Sequence, residues 1–309
     1  MKIAFFGTSN RPLPILNTLN KSFDLDLCIT KADAKVGRHQ KLKESGVKTW
    51  AKENSVDFLC VDSINNSQNE IIKELTKREI DIGIVADFSF MIPLEIIETP
   101  KHGLINIHFS LLPKLRGASP VQHAILKGLD ETGITYYLMN EKMDTGDILY
   151  QIKHKLDHIE TTDSLYKTLF ELAAAGLSEV VNNYIDGKTK PVKQDHKEAT
   201  YCKSKSKPNT TYIFKDDAKI NWNNEAAVIE RQVRAYTPWP IAWTTLGELE
   251  DNLKLVSQIK LKPSSYSNYR VKIISANQVN GQIRINKMQV EGKQEVDWMS
   301  FVNGYAVRT

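Results

Sequence analysis

Cysteine is scarce: three residues in 309, at positions 28, 60 and 202. Their spacing fits neither a disulfide framework nor a zinc site, so three reduced thiols are expected. No apolar run reaches the length of a membrane-spanning helix. The first strand begins at Lys2, which leaves no room for a leader, so a cytoplasmic protein without a membrane partner is expected. The glycine signatures of nucleotide enzymes are also missing. The first apolar run ends in Gly7-Thr8-Ser9-Asn10 rather than G-x-G-x-x-G, and there is no P-loop stretch. H-E-x-x-H is absent too, and no metal is expected. Charge of one sign is lacking: 41 Lys and Arg face 37 Asp and Glu, for a net charge of +4. That permits a nucleic-acid partner but falls far below a dedicated DNA-binding domain.

With 41% hydrophobic and 25% charged residues, a packed core is expected, and 309 residues suggest two domains. Residues 2–7 (KIAFFG), 24–30, 80–86 and 103–109 read as strands. Helices are expected over 12–21, 46–54 and 67–79. The alternation gives an α/β domain with a mostly parallel sheet, whose ligands sit at the carboxyl ends of strands. Strands over 134–139 and 148–156 follow, then a long helix over 161–187 with Thr162 as its N-cap. A lysine-rich polar stretch comes next. The last hundred residues carry a helix near 226–235. Short strand-like runs follow at 241–246, 271–276, 282–290 and 304–308, with turns at Gly247, Asn268 and Gly281. They suggest a small β-barrel of the oligonucleotide-binding type. The division expected is 1–188 catalytic, 189–208 basic linker and 209–309 barrel.

Chemistry concentrates in two clusters. Asn106 and His108 are two apart on one strand, so they share a face where that strand meets a Pro- and Gly-containing loop. A carboxamide can donate to a developing oxyanion, and an imidazole can move a proton near neutral pH. The second cluster is Lys142-Met143-Asp144-Thr145-Gly146-Asp147. Alone it would be a turn with Asx hydrogen bonds. Beside the first cluster, Asp144 becomes a candidate to orient the histidine and favour its charged form.

NIHFSLLPKLRGASPVQHAILKG, followed by ETGIT and MDTGDIL, resembles the methionyl-tRNA formyltransferases. So do FFGTS near the start, GRHQKL at 37–42, VADFSFMIP at 85–93, GKTKPVKQD at 187–195, INW at 220–222 and RAYTPWPIAW at 234–243. The resemblance fades after about Leu246. It implies a Rossmann-like formyltransferase domain, a linker and a carboxyl-terminal barrel. The implied reaction moves the formyl group of 10-formyltetrahydrofolate onto the α-amino group of methionyl initiator tRNA. Asn106, His108 and Asp144 match the family's catalytic residues. Ser110, Leu111, Leu112 and Pro113 match the segment lining the folate site, and Phe88, Ser89, Phe90, Met91 and Ile92 the segment beside the pterin. The loop 36–42 matches one that enters the acceptor stem, with Arg38 at its key arginine. Lys41, Lys43 and the linker's Lys207 are further tRNA candidates. A monomer is expected. The sequence departs from the family pattern at Arg11, where an aromatic is usual, at Ser89, where glycine is usual, at Ser119, where an alanine pair is usual, and at His39-Gln40.

Two other readings compete. A sugar-nucleotide N-formyltransferase would keep Asn106, His108 and the SLLP loop, but has no reason to extend residues 31–43 with basic side chains. A nucleic-acid-binding protein with a decayed enzyme domain would not need all three polar residues.

Overall fold

The computed structural model describes residues 1–36, 41–257, 260–261 and 267–307. By its contacts the chain falls into two compact units. The first comprises Met1–Gly117, Glu131–Lys155 and Tyr166–Tyr201, and the second Ala118–Asp130, Leu156–Leu165 and Cys202–Thr309.

The first unit is built on a seven-stranded sheet. In chain order the strands of this half are β1 (Lys2–Phe6), β2 (Asp24–Lys31), β3 (Ala34–Val36), β4 (Lys41–Lys43), β5 (Asp57–Val61), β6 (Ile82–Val85), β7 (Leu104–His108), β8 (Glu131–Leu138) and β9 (Ile148–Lys155). The sheet order is β5-β2-β1-β6-β7-β8-β9. Pairing is parallel from β5 to β7 and antiparallel for β7/β8 and β8/β9. The central parallel strands are apolar on both faces: every residue of β6 and all but Lys2 of β1 are buried. Strands buried on two sides need such runs. Chain order reverses between β1 and β6, so the crevice beyond their carboxyl ends is the expected place for a ligand.

Helices α1 (Leu13–Ser22), α2 (Gly46–Glu53), α3 (Ile64–Lys77) and α4 (Leu94–Ile97) connect these strands. Ser45 caps α2 by accepting the Lys48 N–H at 3.0 Å. On α3, Ile71 and Leu75 are buried as expected and Ile72 is half-buried; the helix starts at Ile64, ahead of the expected residue 67. The strand β5 was not legible in the sequence. It sits at the sheet edge, with two of its five residues exposed, and so lacks a continuous apolar signal. At the two ends of the basic segment expected as a loop, β3 and β4 pair antiparallel, Ala34 opposite Lys43 and Val36 opposite Lys41; residues 37–40 lie outside the described residues.

Helix α5 (Pro120–Lys127) precedes β8, and α6 (Thr162–Ile185) follows β9. Thr161, not Thr162, caps α6: its hydroxyl accepts the Ser164 N–H at 3.3 Å while Ser164 Oγ accepts the Thr161 N–H at 3.0 Å. Thr162 is inside the helix, and its hydroxyl donates to the Ala235 carbonyl.

In the second unit, α7 (Ala226–Ala235) is where the sequence placed it. The expected β-structure is a four-stranded antiparallel sheet in the order β10 (Ala242–Thr245), β12 (Arg270–Val279), β13 (Gln282–Val290), β14 (Glu295–Asp297). A separate pair joins β11 (Lys260–Leu261) and β15 (Ala306–Val307). Val271, Ile273, Met288 and Phe301 form the core with Ile229 and Val233 of α7. Two helices were not expected. Gly247 lies in α8 (Leu246–Ser257) rather than in a turn, and residues before 306 form α9 (Trp298–Tyr305). Both are short, and single glycines at 247 and 304 mask their pattern. Among the described residues no helix is long and apolar enough to cross a membrane.

Candidate active site

Asn106 and His108 close β7 on the same face, and β8 runs antiparallel beside them. The register sets Tyr137 opposite Asn106 and Thr135 opposite His108. Asp144 comes from the turn after β8. Its backbone is left-handed, with φ 54°, a conformation that aspartate tolerates better than most residues. Gly146 follows because a Cβ there would collide with the Leu138 carbonyl oxygen. Asn140 steadies the turn by accepting the Lys142 N–H and the Thr145 hydroxyl.

The structure brings the three residues together and adds a fourth. Asp144 Oδ2 accepts the Gly117 N–H at 2.6 Å, and Oδ1 accepts the Tyr137 hydroxyl at 2.8 Å. A carboxylate only accepts, so the tyrosine proton points at Asp144. The phenol oxygen must then accept, and Asn106 Nδ2 donates to it at 3.0 Å. That fixes the amide: its NH₂ faces Tyr137, and one N–H is left over for the site. His108 is buried, with Nε2 3.0 Å from the Leu115 carbonyl. The carbonyl can only accept, so Nε2 carries a proton. Nδ1 lies 3.7 Å from Asp144 Oδ1, so a proton added there faces a carboxylate. Burial and then the Asp144 charge push the Tyr137 phenol well above its ordinary range, which keeps it a donor.

Sequence reasoning missed Tyr137 because a tyrosine in a strand looks like core. Only the register of β7 against β8 exposes its role. It also missed Arg116, which is 1% exposed and has no carboxylate within 4 Å among the described residues. Its guanidinium donates to Gln194 Oε1 at 2.6 Å and to the Tyr201 hydroxyl at 3.2 Å. Gln194 in turn donates to the carbonyls of Asp144 and Gly146 at 3.0 and 2.7 Å. Arg116 and Gln194 thus tie the loop after β7 to the turn bearing Asp144. Both stand in motifs that carry the family resemblance, yet nothing in the sequence pairs them.

The loop of Ser110, Leu111, Leu112 and Pro113 is held from β8 and β9. Thr135 Oγ1 accepts the Leu112 N–H at 3.0 Å and donates to the Ser110 carbonyl at 2.7 Å. Gln151 donates to the Leu112 carbonyl at 2.9 Å. Phe88, Ser89, Phe90, Met91 and Ile92 follow β6. Phe88 stacks edge-on against Phe6 and Phe90, Ile92 is buried, and Ser89 and Met91 are exposed. The apolar Met91 surface is chemically suited to an aromatic heterocycle. At the end of β1, Thr8 donates to the Asp87 carbonyl at 2.8 Å, and Arg11 lies over the Tyr166 ring at 4.2 Å.

Arg38 lies outside the described residues, and of Lys41 only the backbone is described. Lys43 is exposed on β4. Lys207 lies in the second unit with its ammonium 4.2 Å above the Phe214 ring.

Tyr137→Phe removes the acceptor that orients Asn106. The expected result is a kcat lower by about tenfold, the worth of one buried hydrogen bond. A pH effect should accompany it. An unfolded tyrosine ionises near pH 10, whereas folded Tyr137 keeps its proton. Its contribution to stability is therefore present below about pH 10 and lost as pH rises beyond. Thermal melts above that pH should fall less steeply in the variant. Wild-type kcat with an unchanged alkaline melt would reduce Tyr137 to packing.

Comparison with known proteins places the whole chain. The Formyl transferase family matches residues 1–181, and the Formyl transferase, C-terminal domain family residues 212–306. A methionyl-tRNA formyltransferase of Bacillus thuringiensis (strain Al Hakam) is 31% identical over 310 residues, covering 98% of this chain and 96% of the relative. Among solved structures, the N-formyltransferase from Helicobacter canadensis in complex with folinic acid and dTDP-3-aminofucose superposes with a TM-score of 0.62 at 19% identity, over 99% and 97% of the two chains. The methionyl-tRNA formyltransferase from Clostridium thermocellum gives 0.58 at 18% identity, over 94% and 98%. These two share the fold. Asn106, His108 and Asp144 fall within the segment matched by the first family, and with both of its domains present in order the chain belongs to the formyltransferase family.

Proposed function

We propose that the chain transfers the formyl group of 10-formyltetrahydrofolate to the α-amino group of methionyl initiator tRNA. The observation that carries this is the Asn106–Tyr137–Asp144 hydrogen-bond chain beside His108. It leaves one oriented amide N–H and one imidazole at the carboxyl end of β7. The near full-length likeness to a methionyl-tRNA formyltransferase supports the choice of acceptor.

The amine lone pair forms a bond to the formyl carbon, and the carbonyl electron pair moves to oxygen. The spare Asn106 N–H stabilises that oxyanion. The oxyanion's pair then re-forms the carbonyl as the carbon–N10 bond breaks, and N10 keeps the electron pair of the broken bond. The proton given up by the amine passes through His108 to N10, so bonds and protons balance. Asp144 faces His108 Nδ1 and carries the compensating charge. In this reading Ser110, Leu111, Leu112 and Pro113, with Phe88 to Ile92, hold the folate. Residues 1–188 are catalytic, 189–208 connect, and 209–309 bind tRNA. The protein acts as a cytoplasmic monomer.

Tetrahydrofolate release, followed by absorbance, tests the acceptor: it should begin on adding methionyl-tRNA and not on adding a nucleotide-linked amino sugar. The second reading, a sugar-nucleotide formyltransferase, predicts the reverse; the fold, shared with both the Helicobacter and the Clostridium enzymes, does not separate the two. Arg38 separates the two further. Arg38→Ala is expected to lower kcat/KM for methionyl-tRNA by more than the factor of about ten a single phosphate contact supplies, with donor affinity unchanged. Wild-type efficiency across a salt series would remove Arg38 from the tRNA site.

A further inference from the structure

The second unit carries a cleft lined by its own residues alone. It encloses about 860 Å³, within the range of ligand-sized pockets. Its floor is apolar, with Trp222 and Trp298 beside Ile229 and Leu249, and both indoles pack against this unit's core. Trp222 is fixed by its N–H, donated to Thr244 Oγ1 at 2.9 Å.

The rim is polar and uncommitted. Gln282 and Arg284 share one face of β13, and both are exposed. Neither side chain has a hydrogen-bond or ion-pair partner among the described residues. Asn280 and Gly281, with φ of 50° and 76°, make the tight turn that sets these residues at the cleft. An apolar floor with indoles suits a flat ring, because aromatic rings stack on one another. A free carboxamide reads the edge of such a ring, and a guanidinium takes a phosphate. An aliphatic ligand would leave the rim unpaired, and a bare phosphate would leave the floor uncovered. Asp297 on the wall works against a run of phosphates.

We infer that this cleft binds a nucleobase carried on a single nucleotide. The nucleotide comes either free or as an unpaired residue of an RNA; only the second source rests on the proposed tRNA substrate.

Titration calorimetry on the full chain tests it, with AMP as the probe and ribose 5-phosphate as the control. Filter binding of deacylated tRNA over a salt series forms the second arm. AMP should bind at least about tenfold more tightly than ribose 5-phosphate. Trp298→Leu and Arg284→Ala should each weaken AMP by about tenfold. Should AMP fail to bind while Trp298→Leu weakens tRNA by about tenfold at every salt concentration and Arg284→Ala weakens it at low salt with a shallower salt slope, the nucleotide is part of an RNA. Because Trp298 touches the core, Gln282→Ala with Arg284→Ala serves as a second variant whose changes are confined to exposed side chains. Equal binding of AMP and ribose 5-phosphate, or no AMP binding with unchanged tRNA affinity, overturns the inference. Neither arm involves formyl transfer, so failure here is distinct from failure of the proposed reaction.

Discussion

His108→Ala is expected to lower kcat for formyl transfer by about two to four decades, the range of a lost general acid–base group. His108 is the imidazole at the carboxyl end of β7, and it is held between the Leu115 carbonyl and the Asp144 carboxylate. Truncation removes the hydrogen bond from Nε2 to the Leu115 carbonyl, so stability should fall by about 0.5–1.5 kcal/mol. The KM for the folate donor should change far less than kcat, because the role lies in the reacting step. Steady-state kinetics with a parallel thermal melt separate these effects. A variant that keeps more than about a tenth of wild-type kcat removes His108 from proton transfer.

Asp144→Asn should bring a loss of similar size. Both carboxylate oxygens accept hydrogen bonds, one from the Gly117 N–H and one from the Tyr137 hydroxyl. An amide supplies one acceptor and one donor, so either rotamer sets a donor against a donor. If the tyrosine turns its proton away, Asn106 loses its acceptor and its orientation with it. The charge facing His108 is lost as well. Activity should therefore drop by about two decades or more, and stability by about 1–3 kcal/mol. Removing the donor clash without restoring the charge, through a Tyr137→Phe and Asp144→Asn double variant, should recover stability more than activity. Full activity with an unchanged pH–rate profile would reduce Asp144 to a turn residue.

The parallel half of the sheet was legible because strands buried on two faces must be apolar throughout, and 2–7 and 80–86 are. Strand β5 was not, because an edge strand can expose Phe58 and keep its pairing. The two-residue spacing of Asn106 and His108 is enough by itself to put them on one face of a strand. The cross-strand partner leaves no such mark. Tyr137 is 31 residues from Asn106, and only the antiparallel register joins them. The link from Arg116 through Gln194 to the Asp144 turn spans 78 and 50 residues and leaves no local periodicity. In the last hundred residues, α8 and α9 were hidden because they begin or end at single glycines among strand-like runs.

Where the formyl group finishes decides the central claim, that this site acts on an aminoacyl-tRNA amine. The measurement is mass analysis of the acceptor after incubation with 10-formyltetrahydrofolate, methionyl-tRNA and a nucleotide-linked amino sugar together. Formyl recovered on the methionine amine, and lost in parallel with kcat in His108→Ala, is the expected result. Formyl recovered on the sugar amine, or on methionyl-tRNA at an undiminished rate in His108→Ala, would contradict it.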